Sequence, residues 1–171
     1  MTSVLKVDNI QNSSGTDAIS IDSNGVVTKS VIPAFRVGLN GDQVETSSGT
    51  NIVVEWNDLS TDNCFVQGGM SFSSGVVTVP VAGIYQFNLV LRIDDIGTGY
   101  AVAKVVVNND ESQSRELYIM NGDPATNYDN YTGGDILKLS ANDNVRVTVF
   151  ASSDTSWDVH NASHFSGALI G

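Results

Sequence analysis

Val76-Val77-Thr78-Val79-Pro80-Val81-Ala82-Gly83-Ile84-Tyr85-Gln86-Phe87-Asn88-Leu89-Val90-Leu91 decides the fold class. Val77 and Val79 alternate with Val76 and Thr78, and Tyr85, Phe87, Leu89 and Leu91 recur at period two. Successive side chains leave a pleated strand on opposite faces, so this alternation is the core stripe of a half-buried strand. Pro80 has no N–H for a ladder and belongs at a strand end or a sheet edge. Gly83 gives the backbone freedom to bend into the next strand. The stretch predicts two strands joined by a Pro-Val-Ala-Gly corner in an all-β domain.

The rest of the composition agrees. The chain of 171 residues is long enough to bury one substantial core. It is rich in Val, Ser, Thr, Asn, Asp and Gly, which favours short strands and polar turns over helices. Nineteen acidic residues against eight basic ones give a formal charge of −11, the wrong sign for a nucleic-acid surface. The same charge is consistent with plain solubility in a salty medium. Cys64 is the sole cysteine, so no disulfide or cysteine-rich zinc site forms within one chain, and it is expected to be a small buried hydrophobe. No apolar run is long enough to span a bilayer, so no membrane insertion is expected. The N-terminus lacks the basic and apolar regions of a secretory signal, which predicts synthesis in a cytosol.

Residues 1–32 have their own pattern. Val4, Leu5, Val7 and Ile10 form a first short apolar strand, Ala18, Ile19 and Ile21 a second, and Val26-Val27-Thr28 a third. Asn24-Gly25 between apolar runs is a strong hairpin signal. Strands this short cannot build a core alone and need a partner surface. Residues 33–171 then carry turn signals at nearly regular spacing. Strands are expected at Pro33–Leu39, Ile52–Trp56, Phe65–Phe72 with a bulge at Gly68-Gly69, Tyr100–Val107, Ser114–Met120, Asp135–Leu139, Val145–Phe150 and Phe165–Gly171. The longest excursions are the loops 121–130 and 152–163. About eight to ten strands in this arrangement predict a β-sandwich of jelly-roll type.

Four ordered patterns across residues 33–171 resemble the globular head of the C1q/TNF-like family. They are Pro33-Ala34-Phe35-Arg36-Val37, Pro80-Val81-Ala82-Gly83-Ile84-Tyr85-Gln86-Phe87, Leu137-Lys138-Leu139 with Asp143-Asn144-Val145-Arg146-Val147, and Phe165-Ser166-Gly167-Ala168-Leu169. The chain departs from the family at Val77, where phenylalanine is usual, and at Asn142, where glycine is expected. No collagen-like Gly-X-Y stretch precedes the head, which argues against a complement or hormone setting. The resemblance implies a ten-stranded jelly roll assembled as a threefold trimer. It places Tyr85, Phe87 and Leu89, with Phe35, Phe165 and Leu169, at the trimer axis or in the core.

Lys6-Val7-Asp8-Asn9-Ile10-Gln11, with the Gly15-Thr16-Asp17-Ala18-Ile19 and Gly25-Val26-Val27 hairpin, is similar to the start of phage virion proteins, particularly those of marine phages. This shorter resemblance implies an arm whose apolar residues Val4, Leu5, Val7, Ile10, Ile19 and Ile21 dock on other virion proteins. In the implied fold the start and end of the head lie together. The arm would leave from the trimer base, with recognition loops at the far end.

Tyr128 and Tyr131 in an Asn/Asp/Gly loop, and Trp157 in another, are candidate recognition residues, because exposed aromatics beside amides and carboxylates form platforms for sugars or proteins. The competing reading is that they cover the sandwich ends or a subunit seam. Asp94 and Asp95, with Asp123 and Asp129, offer hard oxygen ligands for calcium, but no contiguous calcium-loop spacing accompanies them and turn formation explains them more simply. Asp158, His160, Ser163 and His164 invite a hydrolase reading, yet no strained nucleophile turn or oxyanion hole goes with them. No enzyme activity and no cofactor are expected.

The sequence thus predicts a homotrimeric all-β protein with an N-terminal β arm or stalk at 1–32 and a C1q-like jelly-roll head at 33–171. Its leading reading is a short phage fibre or spike in the virion. The head would adhere to a host-surface protein or glycan while the arm docks on the particle. Fully extended, the arm reaches at most about 110 Å, which excludes a long fibre. The alternative is a capsid or tail decoration protein without receptor binding, and the third reading is a soluble C1q-like lectin.

Overall fold

A computed structural model of the chain describes residues 7–29, 32–46, 49–59, 63–113, 115–121, 128–152 and 156–171, with residues 113 and 115–121 as backbone only. The chain divides into two compact units, Met1–Ile32 and Pro33–Gly171. Among the described residues no helix is long and apolar enough to cross a membrane.

The first unit is an antiparallel sheet of β1 (Asn9–Gln11), β2 (Asp17–Ile21) and β3 (Val27–Lys29), in that order. The Asn24-Gly25 turn forms because the Asp22 carboxylate accepts from the backbone N–H groups of Asn24 (2.8 Å) and Val26 (2.9 Å), while Gly25 takes φ 80°. Those two N–H donors hold the Asp22 carboxyl below its ordinary pKa. Ile10, Val26 and Val27 are exposed and Val7, Ile19 and Ile21 are half-buried, so the described residues of this small sheet enclose no core. Val4 and Leu5 lie outside the described residues.

The second unit holds β4 (Ala34–Gly38), β5 (Gln43–Glu45), β6 (Asn51–Val53), β7 (Phe65–Gln67), β8 (Ser71–Ser73), β9 (Val76–Thr78), β10 (Gly83–Asp94), β11 (Tyr100–Val107), β12 (Arg115–Asn121), β13 (Tyr128–Leu139), β14 (Asn144–Ser152), β15 (Trp157–Val159) and β16 (His164–Leu169). They build two sheets. One runs β5-β15-β10-β16-β4-β7, with β13 on the other side of β10, and the second runs β12-β11-β14-β9-β8, with β6 also on β14. β4 and β16 pair directly, so the two ends of the unit lie side by side.

The expected corner is present: β9 and β10 are separated by residues 79–82, and the Tyr85 hydroxyl donates to the Val81 carbonyl at 2.8 Å across it. Tyr85, Phe87, Leu89, Leu91 and Ile93 alternate inward along β10 and face Val145, Val147, Val149 and Ala151 of β14 and Ala101, Ala103 and Val105 of β11. Phe165 lies at the centre, with ring centroids 5.0 Å from Phe35, 5.7 Å from Phe87 and 6.3 Å from Trp56. Each such ring contributes about 1.5–3 kcal/mol by leaving water, and edge or offset contacts add to that. Gly167 makes the cluster possible, because a Cβ there would sit 2.7 Å from both Phe35 and Phe87. Asn142 takes φ 70°, a conformation asparagine tolerates better than most residues, which explains how it stands where glycine is expected.

Four expectations need correction. Phe65–Phe72 is two strands in different sheets, because Gly68 (φ 70°) and Gly69 (φ 80°) turn the chain from one sheet to the other. Tyr128–Asn130 belongs to β13 and not to a loop, since β13 pairs with β10 over twelve residues and passes through Gly133-Gly134. Trp157 lies on a short strand and is 1% exposed, held in the core with Val159. Cys64 is only half-buried, with its sulfur lying over Gly38.

Candidate functional site

Residues directly opposite in a ladder share a face, so the β10 registers separate the core face from the outer one. Tyr85, Phe87 and Leu89 are 0–2% exposed within a single chain, as are Phe35 and Phe165, while Leu169 packs partly buried against them. Side chains with no surface left in one chain have nothing to bury against another. The structure therefore places Tyr85, Phe87, Leu89, Phe35 and Phe165 in the core of the single chain.

The outer face belongs to the intervening positions. β10 presents Ile84, Gln86, Asn88 and Val90, opposite Lys138, Ile136, Gly134 and Thr132 of β13 and Ala168, Ser166 and His164 of β16. β4 adds Ala34 and Arg36, and β7 adds Phe65 beside Arg36. In a chain of net charge −11, none of these positions carries a carboxylate. Ile84, Phe65, Ile170 and Ile136 are 41%, 42%, 53% and 59% exposed. Small outward residues on β4 and β16 (Ala34, Ser166 and Ala168) leave a groove of about 250 Å³ walled by Phe65, Gln86 and Asn88. A partly apolar stretch of sheet face that carries no carboxylate in an acidic chain has the character of a surface suited to being covered.

The far end of β10 has the opposite character. Arg92 makes two bonds of 2.7 Å to the two carboxylate oxygens of Asp94, and its guanidinium lies 4.5 Å from the Tyr128 ring centroid. Asp158 stands directly across from Asp94 in the ladder. Burial, then the negative charges of Asp94, Asp42 and Asp95, push the Asp158 carboxyl above its ordinary pKa. His164, half-buried on the outer face, is pushed below the ordinary histidine value by burial and by Arg36.

This geometry redistributes the residues singled out from sequence. Tyr128 is 51% exposed at the end of β13 and pairs with Arg92, whereas Tyr131 turns inward against the core and Trp157 is buried, so the three form no common platform. Asp94 is engaged by Arg92, and no cluster of three or more His, Cys, Asp or Glu side chains able to hold a metal occurs among the described residues. Asp123 lies outside the described residues. Ser163 does not serve a catalytic set: its Oγ accepts from the Arg92 backbone N–H (2.9 Å) and donates to the Arg92 carbonyl (3.3 Å), stitching β10 to the segment before β16. His160 is occupied locally, its Nδ1 accepting from the Ala162 backbone N–H at 3.0 Å.

Gln86, Asn88, Ser166, Ile84 and Ile136 were missed as candidates. Their signal was available as the alternate positions of strands already recognised, which are uncharged in an acidic chain. A search of curated proteins gives no match. The family model of the C1q domain matches residues 34–170. That span takes in both sheets, the Pro80–Gly83 corner and the paired ends of the head, and by it the chain belongs to the C1q domain family.

Proposed function

We propose that the head is a homotrimeric recognition module, assembled through the outer face of the β10-centred sheet, in a phage structural protein whose residues 1–32 dock on the particle. The observation that carries the assembly is the carboxylate-free part of that face around Ile84–Val90, with Ile84, Phe65 and Ile136 exposed on it, in a chain of net charge −11. Copies meeting there would cover apolar surface without desolvating an ionised carboxylate. C1q domains typically form trimers and bind ligands, which supports the same reading. The virion setting rests on the likeness of residues 1–32 to phage virion proteins, and the small exposed sheet they form suits an element that gains its core from a partner.

A soluble C1q-like binding protein fits the head equally well, since the family match begins at residue 34. Removing residues 1–30 separates the readings. A docking arm predicts a variant that keeps the oligomeric mass of the full chain but no longer joins particles. Incorporation at full-length levels would contradict docking, and loss of the oligomer would make the segment a trimerisation stalk. Purified full-length protein that binds host cells and competes with infection supports adhesion. Absence of binding, with particles that lose thermal stability when the protein is missing, supports decoration.

A further inference from the structure

A second cavity, of about 460 Å³, opens at the edge of the other sheet, lined by Glu55, Trp56, Asn57, Phe72, Ser73 and Ser74. Its volume falls within the range of about 300–1,000 Å³ usual for small-ligand sites. Two walls form it, and both are fixed. One is the hairpin between β8 and β9, where Ser73 pairs with Val76 and the two-residue turn Ser74-Gly75 takes φ 50° and 76°. The Gly75 backbone presses so closely on the other wall that a Cβ there would sit 2.5 Å from the Val54 carbonyl oxygen. That second wall, residues 54–57, crosses from one sheet to the other. The Val54 N–H donates to Val147 (3.0 Å) and the Asn57 N–H to Gly38 (3.0 Å). Gln43 staples it, accepting from the Glu55 N–H (2.8 Å) and donating to the Val53 carbonyl (2.9 Å).

The cavity is surrounded by hydrogen-bonding groups that the fold does not use. The Glu55 carboxylate and the Ser73 and Ser74 hydroxyls are exposed and make no side-chain bond among the described residues. Asn57 spends its Oδ1 on the Asn40 N–H (2.6 Å), which orients the amide and leaves its NH2 as a donor. Trp56 is 1% exposed behind these groups, stacked on Phe165, and its buried indole Nε1–H finds no acceptor among the described residues. Phe72, half-buried, supplies an aromatic surface. A carboxylate, an amide, hydroxyls and an aromatic surface around one cavity match the hydroxyl edge and C–H face of a sugar ring.

We infer that this cavity is a saccharide site selective for neutral sugars, with Glu55, Asn57, Ser73 and Ser74 reading hydroxyls and Phe72 backing the ring. Selectivity follows from charge: Glu55, in a chain of net −11, repels a sugar carboxylate. The proposal deepens the recognition reading of the head by naming a ligand class, and it stands whether or not the head is trimeric.

The test is heteronuclear NMR of the full chain titrated with glucose, galactose, mannose and N-acetylglucosamine, and with sialic acid and glucuronate as anionic comparisons. The site predicts saturable shifts of the Trp56 indole N–H and of the 55–57 and 73–75 amides with at least one neutral sugar. Glu55→Gln and Ser73→Ala should each weaken that sugar at least about tenfold while the remaining spectrum is kept. Anionic sugars should give no shift. The inference is overturned by no response to any neutral sugar, by equal affinity in both variants, or by equal binding of sialic acid. Molecular mass measured on the same samples keeps the two readings apart: shifts in a monomer would leave the sugar site standing and remove the trimer, and a silent trimer would do the reverse.

Discussion

Gly167 shows how one side chain's absence sets the core. Phe35, Phe87 and Phe165 converge where its Cβ would lie, so Gly167→Ala should destabilise the head by about 1–3 kcal/mol, read as a lowered denaturant midpoint at unchanged slope. A variant as stable as the parent would show that the rings have room to shift. Asp158 gives a prediction of opposite sign. Its carboxyl is pushed up by burial and by Asp94, Asp42 and Asp95, so the folded chain holds that proton more tightly than the unfolded one. Ionisation at neutral pH therefore costs folded stability, and the cost fades as pH falls through the raised value toward the ordinary carboxylate range. Asp158→Asn should raise Tm at pH 7 by at most about 3 °C, since the group is partly solvated, and should leave Tm unchanged near pH 3. A gain that grew on acidification would contradict this assignment. Trp157 marks the limit of legibility at this scale. Only three residues, Trp157–Val159, form its strand, too few for alternation to stand out against the polar residues around them.

Elements were most legible where one face is buried and the other is not. β10 and β11 stand where their alternating or apolar runs predict, and in the expected Asn24-Gly25 turn Gly25 takes φ 80°, the left-handed conformation that glycine favours. β13 was half missed because Thr132-Gly133-Gly134-Asp135 has the composition of a turn. The glycine serves a close approach instead: a Cβ on Gly134 would lie 2.7 Å from the Phe87 carbonyl oxygen. The same misreading merged β7 and β8, where paired glycines mark a sheet change and not a bulge. The surface proposed for assembly was hidden for a different reason. Tyr85 and Phe87 draw attention by their size, but large rings at inward positions say where the core is. The face proposed to lie between copies is carried by the modest residues between them, Ile84, Gln86 and Asn88, and their meaning comes only from the absence of charge on them.

At the scale of the whole molecule, the head's membership of the C1q domain family and the outward face of its β10 sheet bear on the same claim, that copies associate through that face. Ile136 tests it without disturbing the fold, because it is 59% exposed in one chain and lies opposite Gln86 at the centre of the proposed contact. An aspartate there would be solvated in a lone protomer, but between copies it would be a buried charge without a partner. The decisive measurement is sedimentation equilibrium on the full chain and on Ile136→Asp. The account predicts three times the 18.1 kDa protomer mass for the parent and a folded protomer of 18.1 kDa for the variant. A monomeric parent, or a variant that remains trimeric, would contradict it.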